Sequence, residues 1–147
     1  MEHRFTGPSY TLGIEEELMI VDEETLDLSN SIERLLADLN EVPTEGEVKP
    51  ELMEGVCEIA TTPVRNTVEA GAQLRSLRRT VNQVAQQNGL AIGSAGTHPF
   101  ALWEDQRVVA RPRYRDLISG LQFVARQEII SASTCTWAWT TRTRRST

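Results

Sequence analysis

Cysteine and histidine are both scarce in this chain, and each shortage removes a class of function. Two cysteines occur in 147 residues, and only Cys57 precedes residue 131. Residues 1–130 therefore hold no internal disulfide, and Cys57 reads as a small apolar packing residue. Two histidines are too few for a His-rich metal motif. No apolar run approaches the length of a membrane span. The first nine residues lack the apolar stretch of a secretion signal, so a cytoplasmic location is the default expectation. The formal net charge is −6, and without the tail's Arg142, Arg144 and Arg145 it is −9 over residues 1–130. No basic patch offsets this acidity, which argues against nucleic-acid binding. A phosphate-cradling G-x-x-x-x-G-K-[ST] loop is also missing.

What the chain does have is three consecutive acids inside an apolar run, Leu12-Gly13-Ile14-Glu15-Glu16-Glu17-Leu18-Met19-Ile20-Val21. The flanks predict a strand over residues 11–21, at least half buried. Alternation puts Glu15 and Glu17 on one face and Glu16 on the other, with Ile14 and Leu18. Two such carboxylates, about 7 Å apart, repel by roughly 2–3 kcal/mol at an effective dielectric near 20. A divalent ion held by oxygen, Mg²⁺ above all, is the usual compensation. The plain alternative is an edge strand whose acids are solvated.

A second acidic segment, Glu51-Leu52-Met53-Glu54-Gly55-Val56-Cys57-Glu58-Ile59-Ala60-Thr61-Thr62-Pro63, weakens that alternative. Gly55, the β-branched residues and Pro63 favour a strand over at least 56–61, with Val56, Glu58 and Ala60 on one face. Two strands that push carboxylates out of apolar surroundings suggest a shared metal site at Glu15, Glu17 and Glu58. Elsewhere, Asn30 with Glu33 resembles a capping box for a helix over 32–39. Residues 41–50 read as a loop. A helix over 67–88 is capped by Asn66 or Thr67 and closed by Gly89, with Leu74, Leu77, Val81 and Val84 at core spacing. A buried strand over 90–96 and a helix over 114–126 follow. The mixture lacks βαβ regularity and points to an α+β fold.

These blocks resemble a family. Gly13-Ile14-Glu15-Glu16-Glu17, then Glu51-Leu52-Met53-Glu54 with Glu58-Ile59-Ala60-Thr61 and Pro63, are similar to motifs of the ATP-dependent carboxylate–amine ligases called glutamate–cysteine ligase type 2. So are Ala95-Gly96-Thr97-His98-Pro99-Phe100-Ala101, Trp103 and Arg113-Tyr114 with Leu117. The resemblance runs in order from about residue 11 to 130. It implies part of a glutamine-synthetase-like catalytic domain, a curved antiparallel sheet lined by acids with helices outside. It implies that Glu15, Glu17 and Glu58 ligate Mg²⁺ that bridges ATP phosphates. Glu51 and Glu54 would support the metal or face a substrate amine, and as surface acids they would need no explanation. His98 would orient substrate or bond a backbone carbonyl, the commoner role for a lone histidine. Arg113 and Arg126 are candidate anion partners, or members of helix-surface ion pairs. The implied reaction joins glutamate to cysteine or another amine through an acyl phosphate, with ATP as co-substrate; a homo-oligomer stays open. Competing readings are a non-catalytic metal- or protein-binding α+β domain and a metal-dependent hydrolase.

Residues 131–147 stand apart. They contain no Asp, Glu, Leu, Ile or Val, yet hold two of the three tryptophans and six threonines. Back-translated with GC-rich codons from the third base of the Ile130 codon, they can read L-G-L-H-V-H-V-G-V-D, like the family's next strand. The expectation is an N-terminal ligase portion over 1–130, followed by an out-of-frame tail that leaves the sheet with an unpaired edge.

Overall fold

A computed structural model of the chain describes residues 5–127 and 130–141, with side chains described for 10–122, 124, 125, 127 and 130–136. The tail beyond residue 141 and the Arg126 side chain lie outside that description. Five strands, β1 (Phe5–Asp22), β2 (Glu47–Pro50), β3 (Val56–Ala60), β4 (Leu90–Gly93) and β5 (Ser133–Thr141), form one antiparallel sheet. The order is β2-β3-β1-β4, and β5 also pairs with β1. The described residues also form the α-helices α1 (Ile32–Leu39), α2 (Thr67–Gln87), α3 (Pro112–Leu121) and the short α4 (Phe123–Arg126), with a 3-10 turn over Trp103–Asp105. The architecture is α+β.

The long strand β1 organises the rest. Its even positions Leu18 and Ile20 are buried, as are Cys57 and Ile59, which the β1–β3 register places on the same face. Against them pack Ile32, Leu35 and Leu39 of α1 and Leu77, Val81 and Val84 of α2. Burying a side chain of this size is worth about 1.5–3 kcal/mol. Helix α2 begins where the Asn66 side chain accepts hydrogen bonds from the Val68 and Glu69 amides. It ends before Gly89, whose φ of +65° is the left-handed conformation glycine takes without strain. The odd face of β1 carries the acids Glu15 and Glu17, followed by the buried Met19 and Val21.

The structure corrects several local expectations. Residues 47–50, expected as loop, are strand β2, held by its ladder with β3. Asn30 does not cap α1; its side chain instead bonds the Asp105 carbonyl and the Arg107 amide. The N-cap is Ser31, without a side-chain cap bond, and Glu33 pairs with Arg111 at 2.9 Å. The helix expected over 114–126 breaks at Gln122, where φ is +48°. The strand after α2 stops at Gly93, short of residue 96. The edge of β1 expected to stand open is paired from Tyr10 to Glu16 with β5, built from the compositionally odd tail.

Gly46 sets the entry into β2. Its φ is +109°, and a Cβ there would sit 2.4 Å from the Ala60 carbonyl oxygen. Gly46→Ala is expected to cost about 2 kcal/mol, lowering Tm by ~4 °C or more in thermal unfolding. An unchanged Tm would contradict this packing of β2.

Candidate functional site

The antiparallel register decides what meets on the open face. Glu17 lies opposite Glu58 across the β1–β3 ladder, and Lys49 lies opposite Glu58 across β2–β3. With Glu15 two residues from Glu17, these four side chains share a face. Glu16 turns the other way, is 6 % exposed, and is gripped by both Nε and the terminal nitrogen of Arg78 from α2. A buried carboxylate needs such a partner, and the bidentate guanidinium supplies it.

Glu51, one residue beyond β2, joins the open face. Glu17, Glu51 and Glu58 each present a carboxylate oxygen, and the three oxygens lie within 4.8 Å of one another. Burial pushes the Glu17 carboxyl above the usual range; the Ala132 amide opposes this, and Glu51, Glu58 and Glu15 add to it. The opposing hydrogen bond, 2.8 Å, ties the start of β5 to the site, and the Glu17 amide answers by donating to the Ala132 carbonyl. Glu51 is pinned by the amide of Leu52. Lys49 Nζ sits 2.6 Å from Glu58 Oε1 and 3.4 Å from Glu15 Oε1. The Glu58 carboxylate, before any other group, holds the Lys49 ammonium above its ordinary pKa.

Helix α3 walls the site. Pro112 occupies its first turn, and the Tyr114 hydroxyl donates to the Pro50 carbonyl at 2.8 Å, fastening α3 to the end of β2. Arg113 lies over the Tyr114 ring, 4.4 Å from its centroid, and contacts the hydroxyl. That contact leads in raising the Arg113 pKa, with Glu51 and Glu58 adding to it. Glu17, Glu51, Val56, Arg113, Tyr114 and Leu117 contribute to the lining of a cleft of about 580 Å³. A cleft of about 630 Å³ on the other side of Met53 has a single carboxylate, Glu104, and no acid cluster.

The sequence-derived candidates therefore separate. Glu15, Glu17 and Glu58 share the face, but the tight trio takes in Glu51 where Glu15 was expected; Glu15 faces Lys49 instead. Glu54 is outside the trio, paired with Arg107 at 3.4 Å. His98 bonds the Leu26 carbonyl through Nε2 at 2.9 Å, while its Nδ1 accepts the Ala101 amide at 3.1 Å. Its role in the structure is to tie two loops together. Arg113 stands at the cleft. Sequence reasoning missed Lys49, although a signal existed: it is the only lysine in the chain, two residues before Glu51 and so on the same strand parity.

The model of glutamate–cysteine ligase family 2 matches residues 11–137. The chain belongs to that family. The match continues seven residues beyond Ile130, where the sequence resemblance was expected to end. Among relatives, a protein of Rubrobacter xylanophilus provisionally named glutamate–cysteine ligase 2-1 is 42 % identical over 130 residues, covering 88 % of this chain and 34 % of that one. One from Solibacter usitatus, provisionally named glutamate–cysteine ligase 2, is 37 % identical over 123 residues, covering 84 % and 32 %. The chain thus spans about a third of the length of the curated relatives it matches. A crystal structure of glutamate–cysteine ligase from Francisella tularensis, in complex with AMP, aligns over 93 % of this chain and 28 % of its own with a TM-score of 0.65. At 18 % identity this likeness concerns the fold.

Ionised Glu17 weighs against the fold, because its folded pKa is raised. The penalty is absent below about pH 4, where the unfolded chain's carboxyl is also protonated, and grows as pH rises through the raised value. Glu17→Gln, still able to accept the Ala132 amide, is expected to have the higher Tm at pH 7 in chelator, and the difference should close near pH 3. Mg²⁺ should raise the wild-type Tm and leave the variant nearly unmoved. A variant less stable than wild type at pH 7 would make Glu17 a structural acid.

Proposed function

We propose that this chain carries part of the active site of an ATP- and Mg²⁺-dependent carboxylate–amine ligase of the glutamate–cysteine type. The observation that carries the reading is the convergence of Glu17, Glu51 and Glu58 on one sheet face, in a member of a ligase family. Three hard oxygen donors, one of them the burial-strained Glu17 carboxylate, suit Mg²⁺. Bound there, Mg²⁺ would neutralise phosphate charge and hold the transferring group in line.

The chain's own groups would do the rest of the local work. Glu17 and Glu58 come from rigid paired strands, and Glu51 is pinned by a backbone amide, so the donors are fixed before substrate arrives. Arg113 would offer its guanidinium to a carboxylate or phosphate at the cleft wall. Val56 and Leu117 would give the cleft its dry side. In the reaction, a glutamate γ-carboxylate oxygen attacks the γ-phosphorus of ATP and ADP leaves. The amine of cysteine, or of another acceptor, then attacks the acyl carbon and phosphate departs.

The reading of residues 131–147 as an out-of-frame tail is part of the same proposal. It is supported by their composition and by the family-like strand in another frame. Sequencing the DNA across the Ile130 codon tests it: the expected result is a one-frame shift there, and an intact frame would overturn it.

The activity is tested in a version of the protein extended to family length. ADP release is expected only when glutamate, an amine and Mg²⁺ are all present. Glu58→Gln should lower it by about 100-fold or more without lowering Tm. Turnover that needs no ATP would favour a hydrolase. Turnover untouched by Glu58→Gln would remove the trio from the chemistry.

A further inference from the structure

The acid face holds a cation of its own. Lys49, the chain's only lysine, reaches from β2 between two carboxylates that the trio does not exhaust, Glu58 at 2.6 Å and Glu15 at 3.4 Å. Glu58 is 9 % exposed, and among the described residues the Lys49 ammonium is the cation paired with its Oε1. The ammonium, 2.6 Å away, is the group that compensates that oxygen. Its place is fixed by the β2–β3 register and by Gly46 upstream, and a bulkier residue at position 46 would collide with Ala60.

We infer that the acid face has two adjacent cation positions and that Lys49 permanently fills one of them. The Glu17–Glu51–Glu58 position takes a divalent ion, and the Glu15–Glu58 position is closed by the ammonium. This rests on the reading of the trio as a metal site, and adds that Glu15 is a ligand to lysine rather than to metal. Charge supports the arrangement. Four carboxylates stand on the face, and one ammonium, the neighbouring Arg113 guanidinium and one divalent ion match them. In the absence of nucleotide, a second divalent ion has no charge left to neutralise until Lys49 is removed. Its removal would leave Glu15 and the buried Glu58 oxygen uncompensated, which is a strong demand for a replacement cation.

The test is Mn²⁺ stoichiometry of the 147-residue chain without nucleotide, read from the electron paramagnetic resonance of free Mn²⁺. Wild type is expected to bind one ion per chain, and so is Lys49→Arg, which keeps the charge. Lys49→Met is expected to bind two, and Lys49→Met with Glu15→Gln to return to one. Should Lys49→Met fail to fold, Lys49→Gln keeps a donor for Glu58 while losing the charge, and carries the same expectation of two. A neutral variant that binds one ion, or a wild type that binds two, overturns the assignment of Lys49 and leaves the trio standing. A wild type that binds none removes the trio reading, and this inference with it.

Discussion

The pairing of Glu17 with Glu58 across the β1–β3 ladder is the constraint on which the rest of the site depends. Residues directly opposite in an antiparallel pair have Cβ atoms about 4.5–5.5 Å apart, and like charges there are destabilising. The register that enforces this is not chosen by the acids. It is chosen by Leu18, Ile20, Cys57 and Ile59, all 0–1 % exposed on the opposite face. Slipping β1 by one residue would turn Leu18 and Ile20 to the open face and Glu15 and Glu17 into the core. With about 1.5–3 kcal/mol per buried side chain, the four together outweigh a carboxylate repulsion of roughly 3–4 kcal/mol at this separation and an effective dielectric near 20. The hydrophobic face thus holds the charged face in a configuration that favours a cation.

Three adjacent glutamates meet three different fates, and geometry explains each. Glu16 is carried to the helix side, where only the bidentate Arg78 from α2 makes its burial tolerable. Glu17 is half-buried beside other acids and keeps one backbone amide, a contact that relieves but does not cancel its strain. Glu15, its side chain 47 % exposed, settles against Lys49. One short segment therefore supplies a structural anchor, a candidate ligand and a pair for the chain's single lysine.

Much of this was legible in the sequence where local rules and tertiary structure agree. The Asn66 cap, the apolar stripe of α2 and Gly89 each act locally, and the helix lies where they place it. Strand parity alone separated Glu16 from its neighbours and put Glu58 with Val56. What escaped depends on distant partners. Strand β2 has Pro50 at its end and little β-propensity, and it exists because β3 offers a ladder; Lys49 and Glu51 were obscured with it. Asn30 looked like a cap, but the Asp105–Arg107 loop claimed its side chain. Strand β5 did carry a signal, with Cys135, Trp137 and Trp139 alternating with Thr134, Thr136 and Thr140, but the compositional break at residue 131 drew attention away from it. The fold was readable wherever the residue that matters is also the residue that decides.

The proposed divalent-ion site brings three carboxylates from separate segments together on the open face. Anomalous diffraction from crystals soaked in Mn²⁺ addresses it without reference to activity. The account requires a peak at about 2.0–2.2 Å from oxygens of Glu17, Glu51 and Glu58 together. A well-ordered face with no peak there, or a Mn²⁺ ion bound elsewhere while these carboxylates point apart, would contradict it.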